Sequence, residues 1–446
     1  MLARFATLLA TAAERWVPSA FAIAVLLTFV TFAASATLTG AAPTAIVVAW
    51  GRGFWTLSPF AMQMSLVVLT GYLVSTAPAV DRLFAWLARF SGSPARAVAL
   101  MAAVSMALAW VHWGLSLVGT AMFVRHVVRA QPRVDFRLLV ASAYLGMGAT
   151  WHAGLSGSVP LLMATPGHFL EKTTGLIPLS ATTFTAFNLL LSVVVAVTMV
   201  AVVYAMHPAP DQAVMVTVAD LDGLERFTPP AAPAAPSFAA WCDHRPWLPL
   251  ALGGTGLAWL GWYVRAPGAQ LTLDVLNFAF LMAAVLLHRS VSSLMAAGEQ
   301  GARLLAGVVL QFPLYAGMYG VIEGTGLARV LGEVIARSAT ADSLPLLLYW
   351  YSSVLNYFVP SGGSKWALEA PFLIDAATRL GVGTNRVVLA YAWGDMASNL
   401  IQPFWALPLL AAARLGFRDI LGYAMLSFLV ISAIVSAAFW FMPRLI

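Results

Sequence analysis

Charge is what this sequence has least of. Only 9% of its 446 residues are charged, against roughly 25% in soluble domains, which is too little polar surface to cover a water-facing globule. Cysteine is nearly absent as well. The single Cys242 excludes an intramolecular disulfide and any zinc site built on several thiolates. No Gly-x-x-x-x-Gly-Lys-Ser/Thr segment occurs, so the chain has no phosphate-cradling loop for driving work directly with ATP. A basic face is missing too. The net charge is +6, from 24 Lys and Arg against 18 Asp and Glu, but the arginines are scattered between apolar blocks, which argues against a nucleic-acid partner. The first residues show no short apolar core followed by a small-residue cleavage site, so an uncleaved first helix is expected.

Apolar length, in contrast, is plentiful. Hydrophobic residues make up 61% of the chain, and they fall in blocks at 18–38, 57–77, 179–206, 246–264, 271–287, 305–322 and 420–442. A helix of about 20 residues spans a hydrocarbon core of about 30 Å. Because such blocks recur along the whole chain, the sequence predicts an all-α polytopic membrane protein with lipid as its solvent. Its many Met, Trp and Phe side chains then read chiefly as packing and interfacial anchors.

Sliding the chain against itself by 248 positions gives an ungapped match. Gln63 falls on Gln311, Ser105 on Ser353, Gly114 on Gly362 and Ser116 on Ser364. Gly146 falls on Gly394, Thr150 on Ser398, and Pro160-Leu161-Leu162 on Pro408-Leu409-Leu410. Fixed-period self-similarity marks an internal repeat. The first unit is 1–206 and the second 265–446. Between them come a Pro-rich, acidic soluble linker at 207–245 and one extra apolar helix at 246–264. That extra crossing makes the number between equivalent elements odd, so the second unit enters the membrane upside down. Inverted repeats of this kind are frequent in secondary transporters, with the site at the repeat interface. The clusters Arg125, Arg129, Arg133, Arg137 and Arg82, Arg89, Arg96 favour a cytoplasmic N-terminus, since Lys and Arg concentrate on that side.

Four segments do not read as simple spans. Two, at 95–130 and 344–380, are apolar stretches folded about polar tips, His112-Trp113-Gly114-Leu115-Ser116 and Pro360-Ser361-Gly362-Gly363-Ser364-Lys365. Helix cannot run undisturbed through Pro-Ser-Gly-Gly, and both segments are predicted to be re-entrant helical hairpins. The other two, at 136–166 and 385–413, are helices broken at Thr150-Trp151-His152-Ala153-Gly154 and Ser398-Asn399-Leu400-Ile401-Gln402-Pro403. Irregular backbone at membrane depth survives only when buried in protein or lining a cavity. Half-helix N-termini point unpaired N–H groups at the centre, where they attract an anion. Unwound carbonyls with Asn, Ser or Gln oxygens suit a small cation.

The predicted substrate-binding set is Gly114, Ser116, Ser361, Gly362, Gly363, Ser364, Lys365 and Asn399. Trp113, Trp366 and Phe404 would supply an apolar pocket for a short acyl tail. Thr150, His152, Asp395, Ser398 and Gln402 are the candidates for a coupling ion or proton. Lys365 and Glu369 stand four residues apart, which reads either as a pair neutralising itself along one helix face or as a counter-charge for a substrate carboxylate at the hairpin tip. Asp395 would carry a proton or hold a tip through backbone N–H groups. His112 and His152 read as protonation sites or as hydrogen-bonded structural groups.

At Val359-Pro360-Ser361-Gly362-Gly363, and at Ala392-Trp393-Gly394-Asp395 followed by Asn399-Leu400-Ile401-Gln402-Pro403-Phe404-Trp405-Ala406, the chain resembles the short-chain fatty acid transporter family. Phe60-Ala61-Met62-Gln63-Met64 and Gln311-Phe312-Pro313 are similar to that family too. The resemblance implies uptake of small monocarboxylates such as acetoacetate or butyrate across a bacterial inner membrane. It also implies kinship with sodium-coupled dicarboxylate carriers, a fixed scaffold with an elevator-type mobile domain, and a homodimer. No cofactor is expected beyond Na+ or H+ as the coupling ion. A carrier of dicarboxylates or another small anion is the alternative on the same fold. A rival of another class, an intramembrane serine hydrolase, rests on Gly154-Leu155-Ser156-Gly157 with His152 nearby; it gives no reason for the repeat.

Overall fold

A computed structural model describes residues 18, 20–217, 221, 227–235, 237–359, 361–402 and 404–441. Pro360, Pro403 and the linker residues Asp220, Asp222, Glu225 and Pro236 lie outside them. In chain order the principal helices are α1 Ala20–Thr39, α2 Pro43–Gly53, α3 Ser58–Thr76, α4 Pro78–Leu87, α5 Pro94–Val111, α6 Trp113–Ala130, α7 Phe136–Ala149 and α8 Ser158–Met163. They continue with α9 Ala186–Ala205, α10 Trp247–Tyr263, α11 Leu273–His288, α12 Val291–Ala302, α13 Ala306–Gly324 and α14 Leu327–Ser338. The chain then forms α15 Leu344–Phe358, α16 Gly362–Arg379, α17 Thr384–Ala397, α18 Leu407–Ala413 and α19 Phe417–Phe441. Among the described residues there is no strand, and six helices are long and apolar enough to cross a membrane. The chain is an all-helical, multi-pass membrane protein.

Local chemistry sets many of these boundaries. Ser93 caps α5 by accepting the Arg96 N–H, with Pro94 in the first turn. Asp135 caps α7 through Leu138, and Thr272 caps α11 through Val275. Thr185 caps α9 through Asn188. Such caps satisfy N–H groups that have no acceptor inside the helix. The block at 179–206 accordingly splits: Leu179–Ala181 is a short 3-10 turn, and the regular helix starts only after Thr185.

Helices end at each of the four polar segments: α5 gives way to α6 at His112, α7 to α8 between 150 and 157, α15 to α16 after Phe358, and α17 to α18 after Ala397; α5/α6 and α15/α16 are called the first and second hairpin below. In the first half α5 packs on α6 and α7; in the second α15 packs on α17, and α17 on α16. Glycines 248 positions apart permit these contacts. A Cβ on Gly146 would sit 2.3 Å from the Ser105 carbonyl oxygen, and one on Gly394 2.1 Å from that of Tyr349, so neither helix pair could close on a larger residue. Around them, α3 packs on α6 and α11, α1 and α2 pack on α13, and α13 and α14 pack on α16.

The linker departs from the solvated segment the sequence suggests. The Phe136 N–H donates to the Val214 carbonyl and the Val214 N–H to Asp135 Oδ2, both at 2.8 Å. Leu221 and Phe227 are 3% and 8% exposed, Phe227 lies against the His288 ring, and Phe238–His244 forms a helix. Leu221 and Phe227 dock, while Met215, Phe238 and Trp241 stay exposed, and residues 229–235 are exposed as expected.

Candidate functional site

In the second hairpin α15 ends at Phe358 and α16 begins at Gly362. Ser361 sits at the cap position with extended backbone, yet its side chain makes no cap bond. Its hydroxyl instead donates to Ser364 Oγ at 2.9 Å, so the first-turn amides receive nothing from it. This tip faces a cavity of about 30 Å³ lined by Ser361, Gly362 and Gly363 with Trp113, Trp151 and Trp405, and closed off by Met64, Met147 and Phe312. The tip glycines are demanded by packing as much as by the turn. A Cβ on Gly362 would lie 2.6 Å from Asp395 Oδ2 and 2.8 Å from His152 Cε1, and one on Gly363 2.5 Å from the Phe60 ring.

Behind the tip is a buried charge cluster. Lys365 Nζ donates to the carbonyl and to the hydroxyl of Ser352, each at 2.8 Å, and lies 3.1 Å from Asp395 Oδ1. Asp395 Oδ2 meets His152 Nδ1 at 2.9 Å. The far ring nitrogen of His152 accepts the Val159 N–H at 3.1 Å. A backbone N–H can only donate, so Nε2 carries no proton and Nδ1 donates to Asp395: this histidine is neutral and holds the carboxylate in place. The Tyr391 hydroxyl donates to the Gly362 carbonyl at 3.0 Å, tying α17 to the tip.

The reading of Lys365 and Glu369 as a self-neutralising pair is corrected. Both are buried, at 0% and 1% exposure, but no ion pair joins them; Lys365 reaches Asp395 on α17 instead, and Glu369 Oε2 has no hydrogen-bond partner. The reason is geometric, since Ser352 on α15 and Asp395 on α17 together offer the ammonium three oxygens where Glu369 offers at most two. Lys365 does not line the cavity.

Residues at the other breaks are held by the fold. Asn399 Nδ2 donates to the Met147 carbonyl at 3.0 Å, and its Oδ1 accepts from Asn356 Nδ2 at 2.9 Å. Asn356 also donates to Ser398 Oγ and to the Asp395 carbonyl. Thr150 Oγ1 donates to the Met106 carbonyl at 2.7 Å. Gln402 Oε1 accepts the Phe404 N–H, leaving Nε2 buried without a partner. Gly114 and Ser116 are brought close to the first break but not to the cavity: a Cβ on Gly114 would meet the Val67 carbonyl at 2.8 Å, and Ser116 Oγ donates to the Ser105 carbonyl at 2.9 Å. His112 caps α6, its Nδ1 accepting the Leu115 N–H at 3.2 Å. Trp366 packs edge-on against Tyr391 and is not part of the cavity wall. Ser156 Oγ accepts the Trp113 N–H at 2.9 Å and has no hydrogen bond to His152, so the nucleophile–base contact a serine hydrolase needs is not formed.

Sequence reasoning missed Ser352, Asn356, Tyr391 and Asn188. Asn188 Nδ2 donates to the carbonyls of Ala153 and Thr183 while its Oδ1 accepts from Trp393 Nε1, which joins the first broken helix to the second. The available signal was polar residues inside apolar helices: Ser352 and Asn356 stand four apart on α15 and so share one face. A larger apolar groove of about 590 Å³ between α5 and α9 reaches Thr150. Its hydroxyls on Thr150 and Ser192 already donate to backbone carbonyls, and it offers no charged group.

Comparison with known proteins agrees with this architecture. Residues 1–442 match the family model described as short chain fatty acid transporter. A candidate short-chain fatty acid transporter of Escherichia coli (strain K12) is 37% identical, covering 96% of this chain and 97% of that protein. One of the same description from Haemophilus influenzae is 34% identical, covering 99% of this chain and all of that protein. Among solved structures, the YdaH transporter of Alcanivorax borkumensis superposes with a TM-score of 0.63 at 18% identity, covering 96% of this chain and 99% of that one. MtrF of Neisseria gonorrhoeae, described as belonging to a class of antimetabolite efflux pumps, gives 0.56 at 15% identity, covering 99% and 97%. These two similarities concern the fold alone.

Proposed function

Since this chain belongs to the short chain fatty acid transporter family, and is a transporter rather than an enzyme, we propose that it takes up small monocarboxylates such as acetoacetate or butyrate across the bacterial inner membrane as a secondary carrier. The observation that carries this reading is the uncapped second tip facing a tryptophan-lined cavity. The first-turn amides of α16 and the hydroxyls of Ser361 and Ser364 would hold a carboxylate without a fixed positive charge. Gly362 and Gly363 let the backbone approach, and Trp113, Trp151 and Trp405 would receive the acyl tail. A single carboxylate suits this site better than two. Lys365, the cation nearest the tip, is already engaged by Asp395 and Ser352, which leaves no partner for the second charge of a dicarboxylate.

At about 30 Å³ the cavity has room for about one water, so an acyl anion enters only after the tip withdraws. We assign that motion to an elevator-type domain made of the two hairpins, the two broken helices and α19. It would move against a scaffold of α1–α3 and α10–α14, in a homodimer with its N-terminus in the cytoplasm. The two halves would be inverted repeats that place their breaks at one depth. We assign H+ coupling to the Asp395–His152 pair, and Na+ coupling to Thr150, Ser398 and Gln402.

The test is uptake of labelled butyrate, acetoacetate and succinate into proteoliposomes under imposed Na+ or pH gradients. Butyrate or acetoacetate should accumulate and succinate should not; preferential succinate uptake would overturn the monocarboxylate assignment. Ser361→Ala should cut uptake about tenfold or more, the equivalent of about 1.4 kcal/mol, with membrane insertion unchanged.

A further inference from the structure

Lys365 is buried completely, and what surrounds its ammonium is oxygen. The carbonyl and hydroxyl of Ser352 accept from Nζ at 2.8 Å each, Asp395 Oδ1 stands 3.1 Å away, and the centroid of the Tyr391 ring is 4.5 Å away. Three helices contribute: α15 through Ser352, α16 through Lys365, α17 through Asp395 and Tyr391. A backbone carbonyl, a hydroxyl, a carboxylate oxygen and an aromatic face are the partners a dehydrated monovalent cation takes in a protein interior. The neighbouring charges agree. His152 is neutral by its bond from Val159 and Glu369 is itself an acid, so the counter-charge beside Asp395 is Lys365.

We propose that Ser352, Asp395 and Tyr391 form a site for an alkali-metal cation and that this chain fills it with its own side chain, the Lys365 ammonium acting as a tethered cation. The second hairpin then closes onto α15 and α17 without recruiting an ion at this position. The consequence for transport rests on the carrier reading above; the site can be tested without transport.

Truncating the lysine opens the oxygen nest and leaves the Asp395 carboxylate buried without a counter-charge, a state that is costly unless a cation enters. The experiment is thermal unfolding of the full chain in detergent, followed by tryptophan fluorescence, in NaCl, KCl or choline chloride at equal ionic strength. Lys365→Ala should gain a saturable rise in Tm of several degrees with Na+ or K+ over choline, beyond any response of the wild type, as binding to the folded state alone requires. The two salts tell which ion fits. Lys365→Ala combined with Asp395→Asn should lose the gain. The proposal is overturned if Lys365→Ala responds no more than the wild type, or if the double variant keeps the response. It is overturned as well if Lys365→Ala is stabilised only by lowering the pH, or if it is recovered in none of the three salts while the double variant is recovered. Absence of butyrate uptake by the wild type beside an intact cation response would count against the carrier reading and support the site.

Discussion

At the first hairpin tip the chain turns on a single residue, His112, whose own ring nitrogen caps the helix that follows; at the second, Ser361 holds the cap position and its side chain caps nothing. Gly114 and Gly362 are 248 positions apart, yet the first is pressed against the backbone of α3 and the second against a buried acid and a neutral histidine. The first tip is finished by the protein itself. The second is left with donors for something else, backed by an ion pair that the first does not have. Positions 248 apart thus both interrupt helix, but the residues at each interruption give the two tips different surroundings.

Several substitutions would break or sharpen this contrast. The largest effect should come from Asp395→Ala, which leaves Lys365 buried and without its carboxylate. Removing one partner of a buried pair costs about 3–5 kcal/mol, so the yield of monodisperse protein should collapse in fluorescence-detected gel filtration. Gly362→Ala should come next. Its Cβ would strike Asp395 and His152, and uptake should fall about a hundredfold, while Gly114→Ala should lower thermal stability with less effect on the KM for butyrate. Equal KM changes in the two would erase the distinction between the tips. His112→Ala should cost about 1 kcal/mol as a lost cap and His112→Asn should recover most of it, read as Tm; Ser361→Ala should leave Tm unchanged. Smallest of all, Ser156→Ala should lower Tm slightly by losing one hydrogen bond, about 1 kcal/mol, with uptake nearly intact and no labelling of the wild type by a serine-reactive probe.

Much of the fold was legible because lipid imposes long apolar blocks and makes any interruption conspicuous. Pro360, Gly362 and Gly363 announce the second tip by composition, and the 248-residue register announces its counterpart, though His112 alone would have looked like a lone histidine in a helix. The amphipathic helices α2, α4, α12 and α14 were harder, since they are short and lack the continuous apolar run that marks a crossing. At the candidate site, Ser361, Gly362 and Gly363 line the small cavity. Lys365 was assigned a partner by local spacing, and that failed because spacing along one helix is silent about which oxygens two other helices bring. Ser116, Asn399 and Thr150 stand out in the sequence as polar groups beside interruptions, but their hydroxyl and amide groups serve backbone carbonyls of neighbouring helices, a use that no single-chain pattern distinguishes from a ligand.

The docking of Val214 onto Asp135 and Phe136 bears on how the polypeptide matures. The bonds between Val214, Asp135 and Phe136 use only the first 214 residues, and His207 Nε2 accepts the Asp135 N–H beside them, so they can form while the ribosome is still making the second half and before Tyr423 reaches Asp135. The connecting peptide is then anchored at its start before α10 exists. Whatever follows is inserted from a fixed departure point, which favours the nascent second half meeting its own first half over that of a neighbouring molecule.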